Sequence, residues 1–585
     1  MPRPVRLRRR TIGKEPDVKK SGARLVIDSL REHEVEYLFG VPGAAVIDLF
    51  DELYDSGPTT VLTRHEQGAG HMADGYARAT GRAGVCIATS GPGATNLVTA
   101  LATAHADSIP LVALTGQVPT TWLGTDAFQE ADTTGITRPI TKHNYLVRDA
   151  GSLPRVMREA FHLATSGRPG PVLVDLPADV TGAETQDIGR EEPDLKGYRV
   201  HPEGHSRQIR RAAEAMNVYE RPVIYAGGGV ISSGASQQLR NLARTAHIPV
   251  TTTLMGLGAF PASDPLSLGM LGMHGTAYAN MAVSHCDLLL AVGARFDDRI
   301  TGNIERFAPR ARIVHIDIDP TSIGKNVRAD IPIVGDARRA IERMIPLVRY
   351  EDRRAWIDQV ESWKRQFPLG KLEPRNGISG VNVVREIHRV CGGRAIVCTD
   401  VGQHQMWAAQ HFPCDRPRTF ISSGGQGTMG FGLPAAIGAQ LGRPDETVFL
   451  ISGDGSIQMN IQELATAVQH RLPIKIALLN NGYLGMVRQW QELFRDRRYS
   501  HTELGSSNPQ FAELARAYGA EGLCVETKEG VVPALERAME ITDRPVLIDF
   551  HLEPEENVFP MVPAGNGIDQ MLHGPVGAAS ETVVG

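Results

Sequence analysis

Short apolar runs that end on glycine or aspartate recur along the chain, separated by stretches with helical spacing. Between residues 21 and 190 they are "AGVCIATSG", "IPLVALTG" and "GPVLVDLP", with the helical "ATNLVTALATAHA" between the first two. Apolar runs of this length, bounded by turn residues, predict buried strands, and their alternation with helices predicts parallel sheets. An aperiodic polar stretch, "ETQDIGREEPDLKGYRVHPEG", reads as a linker. From 204 to 345 the pattern resumes with "RPVIYAGGG", "IPVTTTL", "CDLLLAVGAR", "ARIVHIDID" and "IPIVGDA". The charged helical segment "YEDRRAWIDQVESWKRQ" leads to a third block, 375 to 552, with "RAIVCTDVG", "ETVFLISGDG", "IKIALLNNG" and "RPVLIDFHL". Residues 553 to 585 carry little beyond "AGNGIDQMLHG" and are expected to form a tail. The fold expected is α/β, three domains each with a central, mainly parallel sheet flanked by helices.

The first and third blocks share an order of features. "GPGATNLVTALATAHADSIPLVALTG" parallels "GDGSIQMNIQELATAVQHRLPIKIALLNN". Two related domains and convergent βαβ grammar both account for it. In "VLTRHEQGAGHMADGYARATG", a carboxylate, Glu66, opens a helix rich in Gly and Ala. Small residues on successive turns imply close packing, with a subunit boundary as one candidate, and a carboxyl there is expected to lose solvent.

Composition narrows the classes. The 585 residues are 42% hydrophobic and 22% charged, as in an ordinary globular protein. A formal net charge of −5 argues against a general nucleic-acid binder. No apolar run is long enough to span a membrane. The six cysteines lie scattered without a C-x-x-C, which argues for reduced thiols in a cytoplasmic protein and against a zinc or disulfide framework. Residues 1 to 20 are basic and poor in apolar positions, and read as a disordered tail.

Ligands of open α/β sheets sit beyond the carboxyl ends of the strands. The richest such end is Gly453-Asp454-Gly455-Ser456, with Asn480-Asn481 ending the following strand. Glycines admit a phosphate to backbone N–H groups, while Asp454 and Asn481 supply hard oxygens suited to magnesium. No G-x-x-x-x-G-K-[ST] occurs. In "AGGGVISSG" the third glycine of a dinucleotide fingerprint falls on Ser232.

The segment Gly453 to Asn481 resembles the cofactor motif of thiamin diphosphate-dependent decarboxylases and carboligases. "GTDAFQEADTTGITRPITKHNYLV", "SGRPGPVLVDLP", "LGMHGTAYAN", "GARFDDRITGN", "VGQHQMWAAQ", "GTMGFGLPAAIG" and "GYLGMVRQWQ" together resemble the acetohydroxyacid synthase (acetolactate synthase) family. The resemblance runs from about Gly22 to Gly574. It implies a pyrimidine-binding first domain, an FAD-binding middle domain and a diphosphate-binding third domain.

The resemblance assigns magnesium and diphosphate to Asp454, Gly455, Ser456 and Asn481, with the Tyr483 carbonyl completing the metal shell. Gly402, Gln403 and His404 are expected at the diphosphate, with Gly427, Leu484, Gly485, Met486 and Val487 around the cofactor and Met429 wedged beneath it. Glu66 is implied as the carboxyl partner of the aminopyrimidine, with Pro92 and Asn96 nearby. Gly43, Phe128 and Gln129 face the substrate in the family picture. The FAD candidates are Arg168, Gly227, Gly228, Gly229, Thr253, Leu254, Leu271, Gly272, Met273, His274, Gly293, Arg295, Asp297, Arg299, Asp317, Ile318, Asp336 and Ala337. Arg299 is also the candidate grip for the second substrate's carboxylate, since guanidinium binds carboxylate bidentately. Trp490, beside Met486 and Val487, is expected to line the acceptor pocket.

The implied reaction decarboxylates pyruvate and passes the hydroxyethyl carbanion to a second 2-oxo acid, pyruvate or 2-oxobutyrate, opening valine, leucine and isoleucine biosynthesis. An active site shared between subunits implies a homodimer at least, or a tetramer, with a small regulatory subunit as a further partner. Ala44, Ala178 and Gln426 depart from the family's usual glycine, lysine and apolar residue. The alternatives within the superfamily are glyoxylate carboligase, which lacks the glutamate at Glu66, and pyruvate oxidase. A non-catalytic cofactor-binding scaffold is disfavoured by Glu66, Asp454 and Asn481 together. A phosphohydrolase on Asp454 lacks a second carboxylate in its loop.

Overall fold

The structure, a computed structural model, describes residues 19–186, 193, 195–369 and 377–574. Residues 1–18 of the expected basic tail, 187–192 and 194 of the linker and 575–585 of the expected C-terminal tail lie outside that range. Three six-stranded parallel sheets carry the chain, and the α/β expectation holds. In the first, the spatial order is Thr59–Leu62, Tyr37–Gly40, Gly84–Ala88, Leu111–Gln117, Pro171–Pro177 and His143–Leu146. In the third it is Phe420–Ile421, Ile396–Thr399, Val448–Gly453, Lys475–Asn480, Val546–His551 and Glu521–Val525. Numbered from each domain's own first strand, both sheets read 2-1-3-4-6-5. The internal similarity of the sequence therefore extends to the topology.

The middle sheet runs Ser267–Met270, Val250–Thr252, Pro222–Ala226, Leu288–Val292, Arg312–Asp317 and Ile331–Val334, a 3-2-1-4-5-6 order. That order belongs to dinucleotide-binding sheets, with the ligand crevice between strands 1 and 4. Helices cover both faces of each sheet, which is why the strands are apolar runs without alternation. Leu111–Gln117 and Pro171–Pro177 are buried along their whole length.

The helix Glu66–Thr80 joins two of these domains. His65 caps it, its Nδ1 accepting from the Gln67 amide at 3.1 Å, and Glu66 in the first turn suits the helix dipole. Almost every residue beyond the first turn is buried, against the helix Gly432–Gly442 of the third domain. A Cβ on Gly75 would lie 2.1 Å from the Ala435 carbonyl oxygen, and one on Gly438 would lie 1.9 Å from that of Met72. The small residues thus serve contact between two domains of one chain, and not the subunit boundary considered from sequence. Their apolar atoms form one core with both sheets, from Phe39 and Ala113 to Leu450 and Ile476.

A buried ionic network pins the same seam. Arg78 lies between Asp74 and Asp107, 2.8 Å from the latter, and donates to the Ser422 carbonyl at 2.8 Å. Asp107 accepts from the amides of Gly424 and Gly425 at 3.0 and 2.7 Å. Burial pushes the Asp74 carboxyl upward while the Arg78 charge opposes it.

Two peripheral expectations change. Lys19–Ser21, assigned in part to the tail, forms an antiparallel strand with Glu184–Gln186. The segment 553–574 is not a loose tail. Val558, Met561, Val562, Ile568 and Met571 are buried. Glu556 accepts from the Ser379 hydroxyl and Gly380 amide, both at 2.7 Å, and the Val562 amide donates to Met273 at 2.9 Å. The segment straps the third domain to the middle one. Its buried residues stand singly or in pairs among polar ones, so no helical or strand period marks them.

Replacing Gly438 with valine drives a side chain into the Met72 carbonyl. Overpacking of this kind should lower the unfolding free energy by about 3 kcal/mol or more. Chemical denaturation of Gly438→Val that matched the wild type would remove the close contact as a determinant of stability.

Candidate active site

The carboxyl ends of the third sheet gather most of the diphosphate candidates. The strand Ile396–Thr399 leads into Asp400, Gly402, Gln403 and His404; Val448–Gly453 leads into Asp454, Gly455 and Ser456; Lys475–Asn480 leads into Asn481 and Tyr483. The Asn481 amide donates to Gln403 Oε1 at 3.0 Å, and Asn481 Oδ1 accepts from the Tyr483 amide at 3.2 Å. Ser456 Oγ donates to the Val401 carbonyl at 2.8 Å. Gly427 lies over Val401, and Met429 and Leu484 approach Gly455. Gly485 opens the next helix with no room for a side chain, since a Cβ would sit 2.1 Å from Gln403 Oε1.

The electrostatics of this edge ask for a ligand. His404 is buried, its Nε2 has no hydrogen-bond partner, and burial pushes its pKa down to about 3. Burial pushes the Asp454 carboxyl up to about 6, against the hydrogen bond it accepts from Asn508 at 2.7 Å. A divalent cation would relieve that cost, and a diphosphate would occupy the unpaired His404 nitrogen. The donor set of carboxylate, amide and carbonyl oxygens fits magnesium. Gln403 differs from expectation. Its amide donates to Gln489 Oε1 at 2.9 Å and to the Glu556 carbonyl at 3.0 Å. It therefore holds Asn481 in place and has no free donor.

The corresponding edge of the first sheet holds Gly43, against Thr89, and the short helix Pro92–Asn96, which Pro92 opens and Asn96 ends. Asn96 Nδ2 donates to Glu66 Oε2 at 2.9 Å, and Glu66 is half-buried. Gln129 packs over Gly91, while Phe128 is 88% exposed. No described hydrogen bond or close contact joins Glu66 or Asn96 to Asp454 or Asn481.

Sequence reasoning missed several residues here. Glu463 is buried and accepts from the amides of Arg64 and His65, both at 3.0 Å, at the head of the Glu66 helix. Burial pushes its carboxyl upward. It stands in the "QELATA" half of the internal similarity, which was the available signal. Asp400 accepts from the Gly430 amide at 2.8 Å, and burial pushes its carboxyl up to about 6. Asn508, Gln489 and Glu556 act through long-range contacts that no local motif announces.

In the middle domain, Gly227 and Gly229 meet Gly293 at the switch point between strands 1 and 4, and Gly228 lies against Met255. The Gly229 amide donates to the Gly293 carbonyl at 3.1 Å, and a Cβ on Gly229 would lie 2.6 Å from the Gly293 Cα. These glycines serve backbone contact there. Beside them a cavity of about 350 Å³ is lined by Arg168, Arg295, Asp297 and Lys325. Arg168 reaches it from the first domain and pairs with Asp319 at 3.2 Å. Thr253 Oγ1, next to Leu254, is buried without a partner. Asp317 is buried, its carboxyl pushed up to about 6. Ile318 is half-buried beside it. Asp336 is spent capping the helix that begins at Ala337. Leu271, Gly272 and Met273 run beside Arg299, whose carbonyl accepts from the Met273 amide at 2.8 Å. His274 is buried against Pro560, its pKa pushed down to about 4. The cationic cavity, the unpaired hydroxyl and the sheet order fit a dinucleotide.

The acceptor-side candidates lie at the surface of the chain. The Arg299 side chain is exposed, 3.9 Å from Asp298. Val487, Trp490 and Phe494 form an exposed apolar stripe at helical spacing, while Met486 packs into the third core. Ala44 and Gln426 are exposed, and Ala178 is half-buried at a helix start.

Three family models match the chain in order. They are the N-terminal TPP binding domain of thiamine pyrophosphate enzymes over residues 20–136, the central domain over 209–344 and the C-terminal TPP binding domain over 400–550. The chain is 50% identical to the acetolactate synthase large subunit of Corynebacterium glutamicum, covering 94% of this chain and 89% of that one. It is 48% identical to the acetolactate synthase isozyme 3 large subunit of Escherichia coli, covering 94% and 98%. With the acetolactate synthase of Mycobacterium leprae the identity is 50%, over 94% and 90%. With the three domains in order and half its residues shared along almost its whole length, the chain belongs to the acetolactate synthase family of thiamin diphosphate enzymes.

Proposed function

We propose that the chain decarboxylates pyruvate and joins the remaining two-carbon unit to a second 2-oxo acid, giving 2-acetolactate from pyruvate or 2-aceto-2-hydroxybutyrate from 2-oxobutyrate. The observation that carries this is the near-full-length identity to acetolactate synthases combined with the buried Gln403–His404–Asp454–Asn481 cluster. Thiamin diphosphate supplies the carbon centre on which a carbanion is stabilised.

The residues divide the work between two edges. Asp454, Asn481 and the Tyr483 carbonyl hold magnesium, and His404 Nε2 and Ser456 face the diphosphate. Glu66 holds the proton at the aminopyrimidine. Asn96 fixes one of its oxygens, leaving Oε1 as the proton-bearing atom. The Arg168–Arg295 cavity takes the FAD diphosphate.

Because no described hydrogen bond joins Glu66 or Asn96 to Asp454 or Asn481 within one chain, the working unit proposed is a homodimer or larger, with the first domain of one copy facing the third domain of another. The exposed Phe128, Val487 and Trp490 support this, since apolar side chains around a polar site call for a cover. Water would then be excluded from Glu66, which is only half-buried in the single chain. The relatives named large subunits favour a small regulatory partner for this chain as well.

Incubation with pyruvate and 2-oxobutyrate in the presence of thiamin diphosphate, magnesium and FAD should yield both acetohydroxy acids. Carbon dioxide release without either product would overturn the assignment. Glu66→Gln should cut turnover to near zero with an unchanged circular dichroism spectrum, and near-normal turnover would unseat Glu66. Trp490→Leu should lower the preference for 2-oxobutyrate, because packing its extra methylene is worth about 1 kcal/mol. An unchanged product ratio in direct competition would exclude Trp490 from the acceptor pocket.

A further inference from the structure

The last two strands of the third sheet, Glu521–Val525 and Val546–His551, run parallel with Cys524 directly across from Asp549. Side chains two apart on a strand share a face, so His551 stands on the same side as both. Cys524 Sγ lies 3.7 Å from His551 Nε2, and the same nitrogen lies 3.2 Å from Asp549 Oδ2. All three donor atoms fall within 4.8 Å of one another. A single imidazole nitrogen cannot donate to a carboxylate and accept from a thiol at once. A cation between them satisfies all three.

We propose that Cys524, Asp549 and His551 form a binding site for a thiophilic divalent cation of the zinc class, separate from the diphosphate magnesium. Tetrahedral zinc with ordinary bond lengths holds sulfur and nitrogen about 3.6 Å apart and nitrogen and oxygen about 3.4 Å apart. The observed 3.7 and 3.2 Å match that frame before any cation is added. The outer contacts suit it too. Asn480 Nδ2 donates to Asp549 Oδ1 at 3.0 Å, which leaves Oδ2 for the cation. Glu526 Oε1 faces His551 Nδ1 at 3.9 Å, the place of the carboxylate that orients a metal-bound imidazole. Cys524 is the one exposed thiol among the six, so the cation has access, with a water in the fourth position. Binding displaces the thiol proton to solvent and leaves a thiolate and a carboxylate to balance the two positive charges.

The holoenzyme, kept in excess magnesium, is titrated with Co²⁺. The expected result is a near-ultraviolet thiolate-to-cobalt charge-transfer band that saturates at one cobalt per chain and is bleached by Zn²⁺. Cobalt at the oxygen-lined diphosphate site gives no such band. Cys524→Ser should abolish the band, and His551→Gln should move its midpoint to about tenfold higher cobalt or more. Both variants should keep wild-type turnover without cobalt. No band in the wild type, or a band that survives Cys524→Ser, overturns the proposal. Should Cys524→Ser fail to fold, an unmoved midpoint in His551→Gln overturns it alone.

Discussion

The approach of the helices Glu66–Thr80 and Gly432–Gly442 is the constraint on which the rest of the molecule depends. Backbone carbonyls of each helix occupy the space where a Cβ of the other would stand, at Gly75 and at Gly438. Contact this close needs glycine and alanine, and it fixes the first and third sheets as one core. The buried Arg78 network lies on the same seam and orients it, because moving either helix would strand a charge away from water. Glu66 begins one of these helices, so its position is inherited from the packing and not from a flexible loop.

With the third domain's Glu463 capping the Arg64 and His65 amides, the head of the Glu66 helix is closed on its own chain. The edge proposed for the diphosphate carries the unpaired His404 nitrogen. The first and third domains share one strand order and one core. The C-terminal strap adds to this by anchoring the third domain to the middle one. Through Glu556 and Val558 it reaches Gln403 and Gln489, beneath the residues assigned to the metal.

Much of the fold was legible because buried parallel strands are apolar runs ended by glycine or aspartate, and those ends are where ligands bind. Asp454 and Asn481 declared themselves at the tips of such runs. Glu66 opens a small-residue helix that packing alone explains, so its proposed role rested on the resemblance. Arg299, Phe128 and Trp490 were nameable only by resemblance, since an exposed arginine or aromatic carries no local signal of its purpose.

What the sequence determined by itself was the three-sheet architecture, the shared order of features in the first and third domains and, by resemblance, the family, because periodicity and motif are local properties of the chain. What only the tertiary structure decided was which surfaces meet. It turned the glycines of the Glu66 helix into an intrachain seam and the segment 553–574 into a strap, and it joined Gln403 to Asn481. It also set Cys524 across from Asp549 and His551, residues more than twenty positions away with no shared motif. Such pairings depend on strand register and domain docking, and these are fixed by the burial of whole faces rather than by any short stretch of residues.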